Sequence, residues 1–301
     1  MSTERLPEEL LIRIFRMLRD IFPKGHRWIV ITHVCQGWRQ IALNAAELWT
    51  YIHSGNVDLI KAFVLRSQQA PLDIRYISER YKDGPEAVMS ILMPQASRIR
   101  SIHLQAPGSA NLFLQYPLPE GAPLLKSLEL CSTASFWRRD ETNTYDANGI
   151  PEICRQDLPE LRYLQVFSWP IMYVSAVRGI LKPSLRSLKI SWPGHQSVDE
   201  WVSILTGLPL LEALHLQNAL ESATSTLEQE TGSAAQLSNL TNSTIIRAAP
   251  AETVAILQRI IPAENVDIVV KPSSFLSRPE TSLTHLLEVL GEKFAKQTVL
   301  V

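Results

Sequence analysis

Three cysteines in 301 residues leave little room for cysteine chemistry. Cys35, Cys131 and Cys154 lie far apart and no CxxC pair occurs, so neither a zinc site nor a disulfide framework is expected. They read as reduced, mostly buried thiols. Long apolar runs are also missing. No stretch reaches the ~18 apolar residues that a membrane-spanning helix needs, and Met1-Ser2-Thr3-Glu4-Arg5 lacks the apolar run of a secretory signal. The expectation is an intracellular chain, cytoplasmic or nuclear, with no membrane partner. No sign of charge dominates. A formal net charge of -1 gives no electrostatic case for nucleic acid.

Catalytic signatures are absent as well: no GxSxG, no HExxH and no Walker-type loop occurs. The seven histidines are scattered. His33 and Cys35 sit two apart on an expected helix and so point to different sides. Asp199 and Glu200 read as cap and dipole residues at a helix start. No enzyme, metal or cofactor is expected. What the chain does have is apolar residues, 46% against 20% charged, in a length ample for a buried core.

The first fifty residues predict three helices. Leu6 to Leu18 opens with Pro7, suited to a first turn, and with Glu8 and Glu9 where the helix dipole favours negative charge. Leu10, Leu11, Ile14, Phe15 and Leu18 make a broad apolar face. Phe22-Pro23-Lys24-Gly25 breaks the pattern. A second helix is expected over 28–42, with Ile31, Val34, Cys35, Trp38 and Ile41 on one face, then a short third segment over 45–49. Three helices in fifty residues make a very small core. Part of this apolar surface should therefore be buried by the downstream chain or by another protein.

The order Leu6-Pro7, Leu10-Leu11-x-x-Ile14-Phe15, Val34-Cys35-x-x-Trp38, Leu48-Trp49 resembles the F-box, in the form common in large fungal F-box families. The resemblance covers residues 5–53. It implies docking to the Skp-family adaptor of cullin-based SCF-type ubiquitin ligases. The positions it marks for adaptor contact are Leu6, Pro7, Leu10, Ile14, Phe15, Val34, Cys35 and Trp38. Leu48 and Trp49 are shared with the module's own core. The loop Asp20–Arg27 is longer than in a compact F-box. The plainer alternative is an amphipathic three-helix cap, and Leu11 and Ile41 read as core.

Beyond a linker helix at 57–68 and a first strand over 70–76, an apolar-x-x-apolar-x-apolar motif recurs. It appears at Ile99–Leu104, Leu125–Leu130, Leu161–Val166, Leu185–Ile190 and Leu211–Leu216. Its second apolar position steps by 26, 36, 24 and 26 residues, mostly within the roughly 20–29-residue period of leucine-rich repeats. Weaker copies are read at Leu237–Leu240 and Val266–Val270. Ser168-Trp169-Pro170 and Ser191-Trp192-Pro193 echo one another after two strands. Helices are expected over 86–93, 173–181, 198–205, 252–261 and 282–294. The fold class is thus α/β: a three-helix F-box (residues 1–53), then an irregular leucine-rich-repeat solenoid (54–301) of parallel strands with outer helices. Where such repeats carry Asn, this chain has Pro107, Thr133, Trp169, Pro193 and Ala219, so irregular curvature is expected. A flat doubly wound sheet is the alternative.

Strand alternation would place His103, Glu129, Tyr163, Gln165, Phe167, Lys189 and His215 on the concave face. These are the candidate contacts to a target protein, Tyr163 and Phe167 being the aromatic anchor. The alternative is a merely solvated face. The function expected is a substrate receptor: F-box on the adaptor, repeats on the target. The runner-up is a repeat-based scaffold acting outside ubiquitination.

Overall fold

The computed structural model describes residues 6–22, 26–77, 85–106, 121–132, 158–167, 179–191, 196–220, 234–248, 250–262, 266–271, 291 and 299–300. All of the helix expected over 282–294 except residue 291, most of that over 173–181, the two Ser-Trp-Pro echoes beyond Ser191, Cys154 and four of the five Asn-replacing positions lie outside these residues.

The first helix, α1, spans Glu8–Ile21, with Pro7 at its N-cap accepting from the backbone N–H of Leu10 and Leu11 at 3.1 and 3.2 Å. Leu11 and Phe15 form its buried side. The helix expected over 28–42 is in fact two. A 3-10 helix covers Arg27–His33, and α2 covers Gln36–Asn44. Between them Cys35 is extended (φ -156°, ψ 169°), and its Sγ accepts from the Trp38 N–H at 3.4 Å, capping α2. The run Ile29-Val30-Ile31-Thr32 is β-branched throughout and resists α-helix packing at χ1. Thr32 donates its hydroxyl to the Ile29 carbonyl at 2.8 Å, a local bond of 3-10 spacing. The single face expected for 31–41 is therefore split. Ile31 is buried, Trp38 and Ile41 are half-buried, and Val34 and Cys35 are exposed.

A second 3-10 helix, Ala46–Trp49, carries Leu48 and Trp49 fully into the core. Trp49 donates its indole N–H to the Ala42 carbonyl at 2.8 Å. Trp28, Trp49 and Phe63 meet edge-on, with ring centroids 5.0, 5.1 and 6.2 Å apart. Phe63 belongs to α3 (Val57–Arg66), outside the first fifty residues. The helical module thus completes its core with a downstream residue. It also supplies the first strand of the sheet: β1 (Tyr51–Ile52) pairs with β2 (Leu72–Ile77), as Tyr51 with Asp73 and Ile52 with Ile74. One hydrophobic cluster runs from Leu11 to Val270.

The sheet continues through β3 (Ile99–Ala106), β4 (Ser127–Ser132), β5 (Tyr163–Phe167), β6 (Ser187–Ser191) and β7 (Ala213–Gln217). Then come β9 (Asn242–Ile246), β11 (Asp267–Lys271) and β12 (Val299–Leu300). All ten strands are parallel and stand in chain order, so the order never reverses as it does in a doubly wound sheet. Two rungs of buried side chains run across it: Ile74, Ile102, Leu128, Leu164, Leu188 and Leu214, and beside them Tyr76, Leu104, Leu130, Val166, Ile190, Leu216 and Ile245. From β3 to β7 these are the motif's own apolar positions.

Strands β4 to β7 are each approached through the same tight turn. The N–H of Leu125, Leu161, Leu185 and Leu211 donates to the carbonyl three residues back, at 3.0–3.2 Å. The second residue of each turn is proline: Pro123, Pro159, Pro183 and Pro209. Proline's fixed φ suits that position. It is a fourth element of the repeat.

The copy read at Leu237–Leu240 is out of phase. The strand that continues the sheet is Asn242–Ile246, where Ser243 faces Leu214 and Ile268. A buried Ser in the place of Leu hides the motif, and Leu237 and Leu240 imitate its spacing three residues early. Instead, β8 (Ala235–Leu237) pairs with β10 (Ile260–Pro262) in a separate two-stranded sheet. Helices α4 (Pro85–Leu92), α5 (Val198–Thr206) and α6 (Pro250–Arg259) occupy connections between sheet strands. Ser197 and Glu200 form a reciprocal capping box on α5, and Asp199 pairs with Arg259, so both acids act structurally.

Candidate docking surfaces

The packing of α1 divides its broad apolar face in two. Leu11 and Phe15 turn inward. Leu10, Ile14, Met17 and Ile21 turn outward, 46–67% exposed, with Leu6 preceding them at 43%. Their steps of four, three and four residues put them on one stripe. Val34 and Cys35, at the break before α2, are exposed too. Pro7 is exposed at the helix start. Helix geometry makes this stripe continuous, and isolated exposed leucines would carry no such meaning.

Two of the eight expected contacts are placed differently from the rest. Phe15 is completely buried, its ring 5.0 Å from that of Trp38. It is a core residue, because the 3-10 helix and α2 close over the α1 side that carries it. Trp38 is half-buried against Phe15, and its indole N–H has no hydrogen-bond partner among the described residues. Met17 and Ile21 were missed. Their signal was present, since they extend the spacing of Leu10 and Ile14 by two turns.

Charged groups border the stripe. Arg16 reaches Glu47 at 3.5 Å, and Arg19 donates to the Glu47 carbonyl at 2.6 Å, tying α1 to the second 3-10 helix. His26, within the expected loop, stacks edge-on to Phe63 at 5.3 Å, and burial lowers its pKa. Residues 23–25 of that loop lie outside the described residues.

The second surface is the outward side of the sheet strands. Register places Arg75, His103, Glu129, Gln165, Lys189, His215 and Thr244 in one row. Beside it run Ser101, Ser127, Tyr163, Ser187 and Ala213 on one flank, and Gln105, Cys131, Phe167, Ser191 and Gln217 on the other. All seven expected target contacts fall on this face. His103 Nδ1 lies 2.6 Å from Glu129 Oε2. That bond, helped by Arg75 and Lys189, holds the Glu129 carboxyl below the usual carboxylate range. Tyr163 donates to Gln165 Oε1 at 2.7 Å, and Lys189 Nζ lies 5.4 Å from the Tyr163 ring centre. Burial and the Lys189 charge outweigh the Gln217 hydrogen bond and lower the His215 pKa. Burial and Glu129 push the Cys131 thiol up, which disfavours a reactive thiolate. Phe167 is exposed. Tyr163 and Phe167 stand at opposite ends of β5, so the expected aromatic patch is two separate rings.

An F-box-like family model matches residues 3–54. The chain carries an F-box-like domain there, and the exposed stripe lies within it. No curated protein matches the chain. Among the described residues no helix is long and apolar enough to cross a membrane.

Proposed function

We propose that this chain is the substrate-recognition subunit of an SCF-type ubiquitin ligase. Its F-box-like domain binds the Skp-family adaptor and its sheet face binds the target protein. The observation that carries the reading is the apolar stripe of Leu6, Leu10, Ile14, Met17 and Ile21, exposed inside a match to a docking module. Val34, Cys35, Pro7 and the outer edge of Trp38 complete the surface. Exposed contiguous apolar area of this kind marks an interaction site. An interface of standard size removes about 800 Å² from each partner.

The repeated turn, strand and buried rung support reading residues 54–301 as an irregular leucine-rich-repeat solenoid of the fungal F-box type. The chain performs no covalent chemistry. It holds the target near the ligase, and proximity supplies the rate.

Co-purification with a Skp-family adaptor tests this. Leu10→Glu with Ile14→Glu alters two exposed positions and is expected to abolish the complex while leaving thermal unfolding within about 0.5 kcal/mol of wild type. Undiminished adaptor binding by a folded double variant would refute the docking face.

A further inference from the structure

The repeat motif has a position that the adaptor and target readings do not use. Directly after the motif's first apolar residue stand Arg100, Lys126, Arg162 and Arg186, then Glu212. The fold makes these residues neighbours. The Lys126 N–H donates to the Arg100 carbonyl, Arg162 to Lys126, Arg186 to Arg162 and Glu212 to Arg186, at 2.7–2.9 Å. Four cations thus occupy four successive rungs along one edge of the sheet face, and the sign reverses on the fifth. Rungs lie about 4.8 Å apart, so Arg100 to Arg186 spans roughly 14 Å, about four residues of extended chain.

Lys126 is exposed and has no ion pair among the described residues. Arg100 is held by Asp73, Arg186 by Glu212, and Arg162 by Glu160 at 3.5 Å, each arginine side chain between a third and just over half exposed. The acids fix the forks without covering them. Behind this ridge, on the face itself, lie Arg75 and Lys189, with Glu129 between them already matched by His103. The chain as a whole is net -1, whereas the six cations Arg75, Arg100, Lys126, Arg162, Arg186 and Lys189 outnumber the four acids beside them, Asp73, Glu129, Glu160 and Glu212, by two.

We propose that this basic ridge binds an extended acidic segment of the target protein, with Asp or Glu side chains set on Lys126, Arg162 and Arg186. The assignment rests on the target-receptor reading and names the target's chemistry. A peptide fits better than nucleic acid. Asp73, Glu129, Glu160 and Glu212 stand in or beside the ridge and would repel a continuous phosphate backbone. A peptide can place single carboxylates between them. Bidentate Arg–carboxylate pairing then fixes register, and the ridge speeds encounter.

The test is selection from a random peptide display library on the full chain, followed by fluorescence anisotropy with the best peptide as probe. The expected peptides are net acidic, their binding weakens as salt rises, and Lys126→Glu with Arg162→Glu weakens it about tenfold or more. Lys126→Glu alone, at an exposed position, is expected to weaken it in the same direction without altering the thermal melt. Lys61→Glu, on α3, leaves it unchanged. Enrichment of neutral or basic peptides, no enrichment, or equal binding by the charge-reversed variants would overturn the proposal. So would tighter binding of a single-stranded oligonucleotide than of the acidic peptide. Failure of the receptor reading looks different: the adaptor would not co-purify, while acidic peptides would still bind. The Leu10→Glu, Ile14→Glu variant is expected to keep its peptide affinity.

Discussion

Replacing Phe63 with Ala tests whether the F-box-like helices and the sheet unfold together. Phe63 is 1% exposed and touches Trp28 and Trp49 edge-on, with His26 at 5.3 Å. Removing a buried phenyl ring typically costs about 3–5 kcal/mol, counting lost transfer energy and the cavity left behind. The aromatic edges argue for the upper part of that range. For one cooperative unit of this length, about 4 kcal/mol lowers the melting temperature by roughly 6 °C, taking about 2.1 cal/mol/K per residue for the unfolding entropy. The informative assay is hydrogen exchange resolved by peptide. Since Phe63 closes the core over Trp28 and Trp49, amides of α1 and α2 should lose protection alongside those of α3, β2 and β3. Loss confined to 57–106, with α1 and α2 at wild-type protection, would refute the shared core. So would a melt shift below about 2 °C.

Arg98 offers a second test. It is 7% exposed and donates to the carbonyls of Val64 and Ala70, to Ser67 Oγ and to Gln95 Oε1, clamping the end of α3 to the turn before β3. Arg98→Ala strands these acceptors and should destabilise the chain by roughly 2–4 kcal/mol in urea titration; a change below about 0.5 kcal/mol would show the clamp to be idle. Glu129 should shape the acid limb of stability. Its folded pKa is depressed, first by the His103 hydrogen bond, so its contribution is present above the ordinary carboxylate value of about 4.5 and is lost as pH falls through the lower folded value. Glu129→Gln is expected to flatten stability against pH in that acid window, as read by melting temperature across it. An unchanged slope would count against the assigned bond.

Much of the fold was legible because its unit is local. Leu128 and Leu130, or Leu188 and Ile190, repeat at a spacing that one turn and one strand require, so the parallel array followed from periodicity. Where a polar residue took a rung position, as Ser243 did, the same reasoning slipped by three residues. The helical break at Cys35 was also written locally, in four successive β-branched residues, but a count of apolar positions read through it.

By itself, then, the sequence determined the chain order of the strands, the apolar content of α1 and the cationic letter of four of the five repeats, because these depend on spacing within one element. Only the tertiary structure decided which apolar residues of α1 face outward. Leu10 and Ile14 differ from Leu11 and Phe15 by one helical step, and both pairs are equally hydrophobic. The closure of the 3-10 helix and α2 over Phe15 buries one pair and leaves the other exposed. The tertiary structure likewise turned Arg100, Lys126, Arg162 and Arg186, about 24 to 36 residues apart in the chain, into one ridge, since parallel pairing alone sets them a single rung apart.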